Sequence, residues 1–169
     1  MFFVVIERQT PWLCTLYIHA SISMLSLAIL LADEKTKEAV AEAKALYLEL
    51  NAGHTTELYP THTDNVRTNL NLAILLADEG TKESVAEAKA LYLEVIAGHT
   101  ETLSPTHTET LTIKMNLANL LADEETKESV AEAKALYLEV IAGNTETLAP
   151  TNTETLRTKM NHAILLADE

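Results

Sequence analysis

The residues best suited to metal chemistry are histidines that recur at a fixed interval. Two positions carry histidine and carry it again 45 residues later: His54, His62, His99 and His107. A zinc site needs three or four such ligands to converge on one ion. The next copy has Asn144 and Asn152 at these positions, and asparagine suits a polar or helix-capping role better than metal ligation. The pattern therefore predicts no metal site and no cofactor.

Other residues that could carry chemistry are equally sparse. Asp-Glu pairs recur at four places and could suggest calcium: residues 33–34, 78–79, 123–124 and 168–169. An EF-hand needs about six oxygen ligands in a fixed frame of about 12 residues, and that frame is missing. Cys14 is the only cysteine, and no motif places a base beside it. No phosphate loop, nucleophile elbow or acid–base constellation occurs either, so we predict no catalytic residues and a protein that is not an enzyme.

The net charge of −13 limits the possible partners. Binding a phosphate backbone needs clustered Lys and Arg, which the sequence lacks, so we expect no nucleic-acid partner. The same charge argues against an anionic membrane surface. Residues 11–32 carry no charged side chain, which leaves a membrane span as an alternative. Because the second half of that stretch recurs in polar settings, we expect no membrane partner, and the single cysteine fits a cytoplasmic location.

An internal repeat defines the helices that must carry any site. The string LAILLADE, or a close variant, begins at residues 27, 72, 117 and 162, which are 45 residues apart. The string EAKALYLE begins at residues 42, 87 and 132, and a Pro-Thr dipeptide begins at residues 60, 105 and 150. Such fidelity at this period is typical of stacked helical repeats.

Each copy is predicted to form two antiparallel helices. Three Thr/acid pairs with capping-box spacing predict where the first helix starts: Thr61 with Asp64, Thr106 with Glu109, and Thr151 with Glu154. That helix should end near a fixed acidic position: Asp78, Asp123 and Asp168. The second helix should continue past Gly98 to about Leu103, because no other breaker precedes Pro105. Tyrosines at one repeat position are expected in the core: Tyr47, Tyr92 and Tyr137.

Two short motifs link the repeat to a known family. Leu72-Ala73-x-x-Leu76 followed by Ala88-x-x-x-Tyr92 resembles the tetratricopeptide signature. The connector LSPTHTETL, beginning at Leu103, resembles that of kinesin light chain repeats, whose second helix is extended. The resemblance covers residues 25–169, with partial first and last repeats. It implies an all-α, right-handed superhelical solenoid of stacked antiparallel helix pairs. Residues 1–24 do not match and are expected to be divergent and the least regular part.

The resemblance also implies a protein–protein interaction scaffold that binds a peptide or partner protein in its concave groove. In tetratricopeptide arrays, positions shortly before the Leu-Ala pair usually face a bound peptide. By resemblance, the groove residues are Arg67, Asn71, Asn116, Asn119, Arg157 and Asn161. The asparagines could bond a peptide backbone, or could instead hydrogen-bond between adjacent helices. Two alternative roles stay open: the cargo-adaptor region of a kinesin light chain, and the regulatory array of a larger signalling NTPase.

The last repeat is expected to leave one side of its first helix uncovered. Four apolar residues at helical spacing would form that side: Leu156, Met160, Ile164 and Leu165. A terminal repeat usually carries a polar outer face, and this helix does not. We therefore expect self-association through this uncapped helix, or docking of further sequence.

Overall fold

Seven α-helices account for the regular structure of the described part of the chain. The computed structural model describes the backbone of residues 10–55 and 62–167, and every regular element in those ranges is a helix. The helices are α1 Thr10–Asp33, α2 Lys37–Thr55, α3 His62–Glu79, α4 Lys82–Thr102, α5 Thr108–Asp123, α6 Lys127–Thr147 and α7 Thr153–Ala167. The predicted all-α class is confirmed.

The helices fall into two compact units, Met1–Leu75 and Leu76–Glu169. In the first unit, α1 packs against α2. In the second unit, α4 packs against α5, α5 against α6, and α6 against α7, so helices adjacent in sequence are also neighbours in space. The predicted boundary after residue 24 falls inside α1, which is unbroken from Thr10 to Asp33, while residues 1–9 lie outside the described residues.

None of the described helices combines the length and apolar content that a membrane crossing requires.

Reciprocal hydrogen bonds start the second helix of two copies. Thr81 Oγ1 accepts from the backbone N–H of Ser84 at 3.1 Å, and Ser84 Oγ accepts from the N–H of Thr81 at 3.0 Å. Thr126 and Ser129 repeat both bonds at 3.0 and 3.1 Å. These capping boxes satisfy two helix-end donors each. The sequence analysis missed them because serine stands where the usual pattern has Glu or Gln.

The predicted cap of the first helices is wrong. Thr106 and Glu109 form no capping box; instead His107 Nδ1 accepts from the N–H of Glu109 at 3.3 Å. The next copy likewise uses Asn152, whose Oδ1 accepts from the N–H of Glu154 at 2.9 Å. The cause is a buried threonine at the following turn. The hydroxyl of Thr110 donates to Ser104 O at 2.9 Å, and the hydroxyl of Thr155 donates to Ala149 O in the same way. These bonds hold the connector so that the capping residue is one position later than predicted. The Thr61–Asp64 pair lies outside the residues whose side chains are described.

A residue with left-handed backbone geometry lies in the turn between the two helices of each copy. Lys35, Gly80 and Glu125 share one repeat position, and their φ angles are 54°, 66° and 54°. Glycine adopts this region freely, whereas a side chain there costs roughly 1 kcal/mol. The turn geometry is therefore a property of the repeat and does not depend on the glycine.

The helix α4 continues through its glycine, as predicted, and α6 does the same. The helix α4 runs past Gly98 to Thr102, and α6 runs past Gly143 to Thr147. A Cβ at Gly143 would lie 2.8 Å from both methyl carbons of Leu111. Leu111 is only 2% exposed, so it has little room to move. Gly143 therefore allows α6 to approach α5 closely, at the cost of a weaker helix.

Tyrosine and alanine shape the core, and the predicted burial of the repeat tyrosines is confirmed. Tyr47, Tyr92 and Tyr137 are each at most 2% exposed. In the first three copies the first alanine of each repeat string is fully buried as well: Ala28, Ala43, Ala73, Ala88, Ala118 and Ala133. Small side chains at these positions let helix backbones come close, while one large ring per copy fills the remaining volume.

We predict that Gly143→Ala destabilises the protein by about 1 kcal/mol, even though alanine favours the helix, because the new methyl group overpacks Leu111. In a Leu111→Ala background the same change should stabilise by about 0.5–1 kcal/mol, because only the helix preference remains. Urea unfolding of the four proteins measures both values. An equal effect of Gly143→Ala in the two backgrounds would show that the close approach carries no energy.

We also predict that Thr126→Ala costs about 1 kcal/mol of stability, because it removes the acceptor of the α6 cap. Thr106→Ala is the matched control, since Thr106 is exposed and caps no helix here. That control should change the free energy of unfolding by less than about 0.5 kcal/mol. A loss at Thr106 as large as that at Thr126 would restore the original cap assignment.

Candidate functional site

An open cavity of about 670 Å³ lies between α5, α6 and α7, within the second unit. Its apolar wall consists of Ala122, Val130, Ile164 and Leu165. Its polar wall consists of Asn119, Asp123, Glu125, Tyr137 and Asn161. A cavity that pairs apolar surface with a few polar groups has the general character of a ligand site.

A hydrogen-bonded triad forms the polar wall of this cavity. Oδ1 of Asn119 accepts from the Tyr137 hydroxyl at 2.7 Å and from Nδ2 of Asn161 at 3.1 Å. The triad joins one side chain from each of α5, α6 and α7. Because both bonds use the same oxygen, the amide groups of the two asparagines are held in fixed orientations.

Two departures from the repeat meet at this triad. Asn119 stands where the other copies have isoleucine, and His162 stands where the other copies have leucine. The ring of His162 approaches the ring of Tyr137 edge-on, with centroids 6.2 Å apart and planes at 69°. Both changes therefore surround the same tyrosine. Aligning the four LAILLADE strings against one another would have exposed this signal, which the sequence analysis did not use.

The structure brings together two of the six predicted groove residues, Asn119 and Asn161. Asn116 has the same repeat position as Asn161 but does not line this cavity. Arg157 is exposed and donates to Glu154 Oε2 at 2.6 Å, outside the cavity. The remaining two, Arg67 and Asn71, belong to the first unit.

The register of one predicted groove residue also needs correction. Asn119 follows the Leu117-Ala118 pair, whereas the prediction concerned positions that precede such a pair. The alternative role of the asparagines, bonding between adjacent helices, is observed at Asn119 and Asn161. The same two residues also line the cavity.

A second cavity of about 500 Å³ lies one copy earlier in the same unit. Its residues Ala77, Val85 and Leu120 match Ala122, Val130 and Leu165 of the larger cavity, 45 residues on. The smaller cavity does not include Tyr92 in its lining. The repeat therefore builds similar cavities in succession, and the one at Asn119 is the larger of these two.

The histidines take structural positions. His107 caps α5, and Asn152 takes over that role at α7, which confirms the predicted capping role at this repeat position. His99 is buried within α4, and His162 is half-buried. Among the residues whose side chains the structure describes, 19–52 and 65–167, no group of three His, Cys, Asp or Glu side chains is placed to hold a metal ion.

The Tyr137 hydroxyl stays a hydrogen-bond donor over the whole neutral range. Burial, and then the negative charge of Asp123, raise the pKa of Tyr137 to about 12. The phenol therefore remains protonated and keeps its bond to Asn119, which in turn keeps the cavity wall ordered.

From this pKa we predict a loss of stability in alkali that depends on Tyr137. The folded-state pKa lies above the unfolded value of about 10, so the unfolded chain ionises first. The contribution of Tyr137 is complete below about pH 10 and is lost as the pH rises toward 12. Urea unfolding at a series of pH values should show a shallower alkaline decline for Tyr137→Phe. Identical profiles for the two proteins would contradict the shifted pKa.

Comparison with known proteins adds no assignment to this geometry. No family model matches the chain, and no curated protein matches it.

Proposed function

We propose that this chain is a protein–protein interaction scaffold that binds a peptide segment of a partner in the cavity between α5, α6 and α7. The observation that carries the proposal is the pair Asn119 and Asn161 on the cavity wall. These asparagines come from different helices and are fixed to each other by a hydrogen bond. Predicted groove residues thus lie together in one open cavity.

The remaining bonding capacity of the two amides matches a peptide unit. Oδ1 of Asn119 and Nδ2 of Asn161 are used in the triad. Nδ2 of Asn119 and Oδ1 of Asn161 make no hydrogen bond to any other described residue. One free donor and one free acceptor, held side by side, suit the C=O and N–H groups of an extended backbone.

The other cavity walls favour a particular side-chain chemistry. Val130, Ile164 and Leu165 offer apolar surface to an aliphatic group. Asp123 and Glu125 form no ion pair with any residue that the structure describes. The net charge of −13 adds to their field. A peptide that carries a lysine or arginine beside an aliphatic residue fits this combination best.

We also propose an architecture and a repeat family for this chain. Consecutive packing of α4 to α7, and full burial of the first alanine of each repeat string in the first three copies, support a right-handed superhelical solenoid of the tetratricopeptide type. The 45-residue period and the connector that resembles kinesin light chains support that subclass. The proposed role is binding without catalysis. The proposed location is the cytoplasm, because a chain with a single cysteine suits a reducing compartment.

To test the function, the 169-residue chain is used to select peptides from a phage-displayed random library, and dissociation constants are measured by calorimetry. Asn161→Ala should weaken binding about tenfold, because it removes one hydrogen bond worth about 1.4 kcal/mol. Asn119→Ile, which restores the residue of the other copies, should weaken it at least as much.

Asn116→Ala is the matched control, because it changes the same residue type at the same repeat position away from the cavity. It should leave the affinity within about twofold. Thermal melting of each variant checks that the fold is intact. Equal affinity of the Asn161→Ala and unmodified chains, or an equal loss at Asn116, would disprove the site.

A further inference from the structure

One side of α7 carries large apolar side chains in contact with water. Leu156, Met160 and Ile164 are 51%, 58% and 55% exposed, and they lie four residues apart on one face of the helix. The predicted exposure of Leu165 is wrong, because that side chain is buried against the rest of the unit. Leu166 is exposed in its place.

The same face of α5 is covered. Leu111 and Met115 have the repeat positions of Leu156 and Met160, and they are only 2% and 4% exposed. The other buried face has the same burial in the two helices, since Thr110 and Thr155 are both fully buried. The difference between α5 and α7 is therefore confined to one face.

The contacts of α5 show what kind of helix fits this face. On α6, Gly143 lies against the methyl groups of Leu111. Glu139 of α6 accepts from Lys114 Nζ at 2.9 Å. The Tyr137 hydroxyl of α6 donates a hydrogen bond to Asn119 of α5. The covering helix thus presents an aromatic ring, a carboxylate two residues later and a glycine four residues after that.

The matching groups on α7 are in place. Leu156 repeats Leu111, and Lys159 repeats Lys114 with an exposed side chain. The only bond of Lys159 in the described residues is a 3.4 Å contact to Pro150 O. The face therefore offers both the apolar ridge and the positive charge that α6 meets on α5.

We propose that this face of α7 is a docking site for a helix of the α6 type, with an aromatic residue, a carboxylate two residues later and a glycine four residues after that. The incoming helix would place a glycine on Leu156 and a carboxylate on Lys159. Its aromatic residue would meet Ile164, which stands where α5 has Asn119. The docking face shares Ile164 with the cavity of the proposed peptide site, but Leu156 and Lys159 do not line that cavity, so variants at these two residues test the docking site separately.

The probe is a fluorescent synthetic peptide with the sequence of residues 127–147, titrated against the 169-residue chain and followed by anisotropy. We expect saturable one-to-one binding. Leu156→Asp in the chain, or Gly143→Leu in the peptide, should each weaken it by about tenfold or more, because each destroys the close helix contact. Sedimentation of the chain alone should show a monomer.

A charge swap tests the register of the docked helix. Lys159→Glu should weaken binding of the unmodified peptide by about threefold, as expected for an exposed ion pair. The Glu139→Lys peptide should recover that loss on the Lys159→Glu chain and show the reverse preference on the unmodified chain. Leu93→Asp, at an exposed leucine of α4, is the control that should leave binding unchanged.

Three outcomes would overturn the proposal. The peptide could fail to bind the unmodified chain. It could bind equally well to the Leu156→Asp chain, which would mean that it displaces α6 from its own place. The chain could also dimerise in a Leu156-dependent way and exclude the peptide, which would make a second copy the occupant.

Discussion

The first helix of a repeat has apolar side chains on two sides, and this constraint governs the second unit. On α5, one buried set consists of Thr110, Ile113, Leu117 and Leu120, and the other of Leu111, Met115, Ala118 and Leu121. A single neighbouring helix can cover only one of these sides. Because α4, α6 and α7 all contact α5, both sets are removed from water. The packing is therefore shared between copies, and no helix pair is a complete core by itself.

The candidate site follows from a small disturbance of this packing. The other copies have an apolar isoleucine at the position of Asn119. Asparagine instead bonds the buried Tyr137 hydroxyl and draws Asn161 toward it. A polar group is tolerated there because every bond that faces the core is satisfied. The cavity thus gains orientation-specific groups while the surrounding helices keep the geometry of the repeat.

Most of the fold could be predicted from the sequence because the repeat supplies several independent signals. The tyrosine positions and the helix extension past Gly98 were predicted correctly. The start of α5 was not, because Thr106 has cap spacing but a tertiary bond from Thr110 to Ser104 decides the register. At the site, Asn161 could be inferred by resemblance. The bond that joins Asn161 to Asn119 could not, since it depends on how α5 and α7 approach each other.

The close identity of α4 and α6 has a consequence for how such a chain folds and evolves. Their sequences differ only at His99 and Asn144, so a neighbouring helix meets almost the same packing surface on either one. Only the short connections decide which helix meets which neighbour, because a nearby segment closes its loop at a smaller entropic cost than a distant one. Off-register pairing is thus a kinetic trap during folding. The same interchangeability lets a duplication or deletion of 45 residues preserve every local contact, so the number of copies can change between generations without a change of fold.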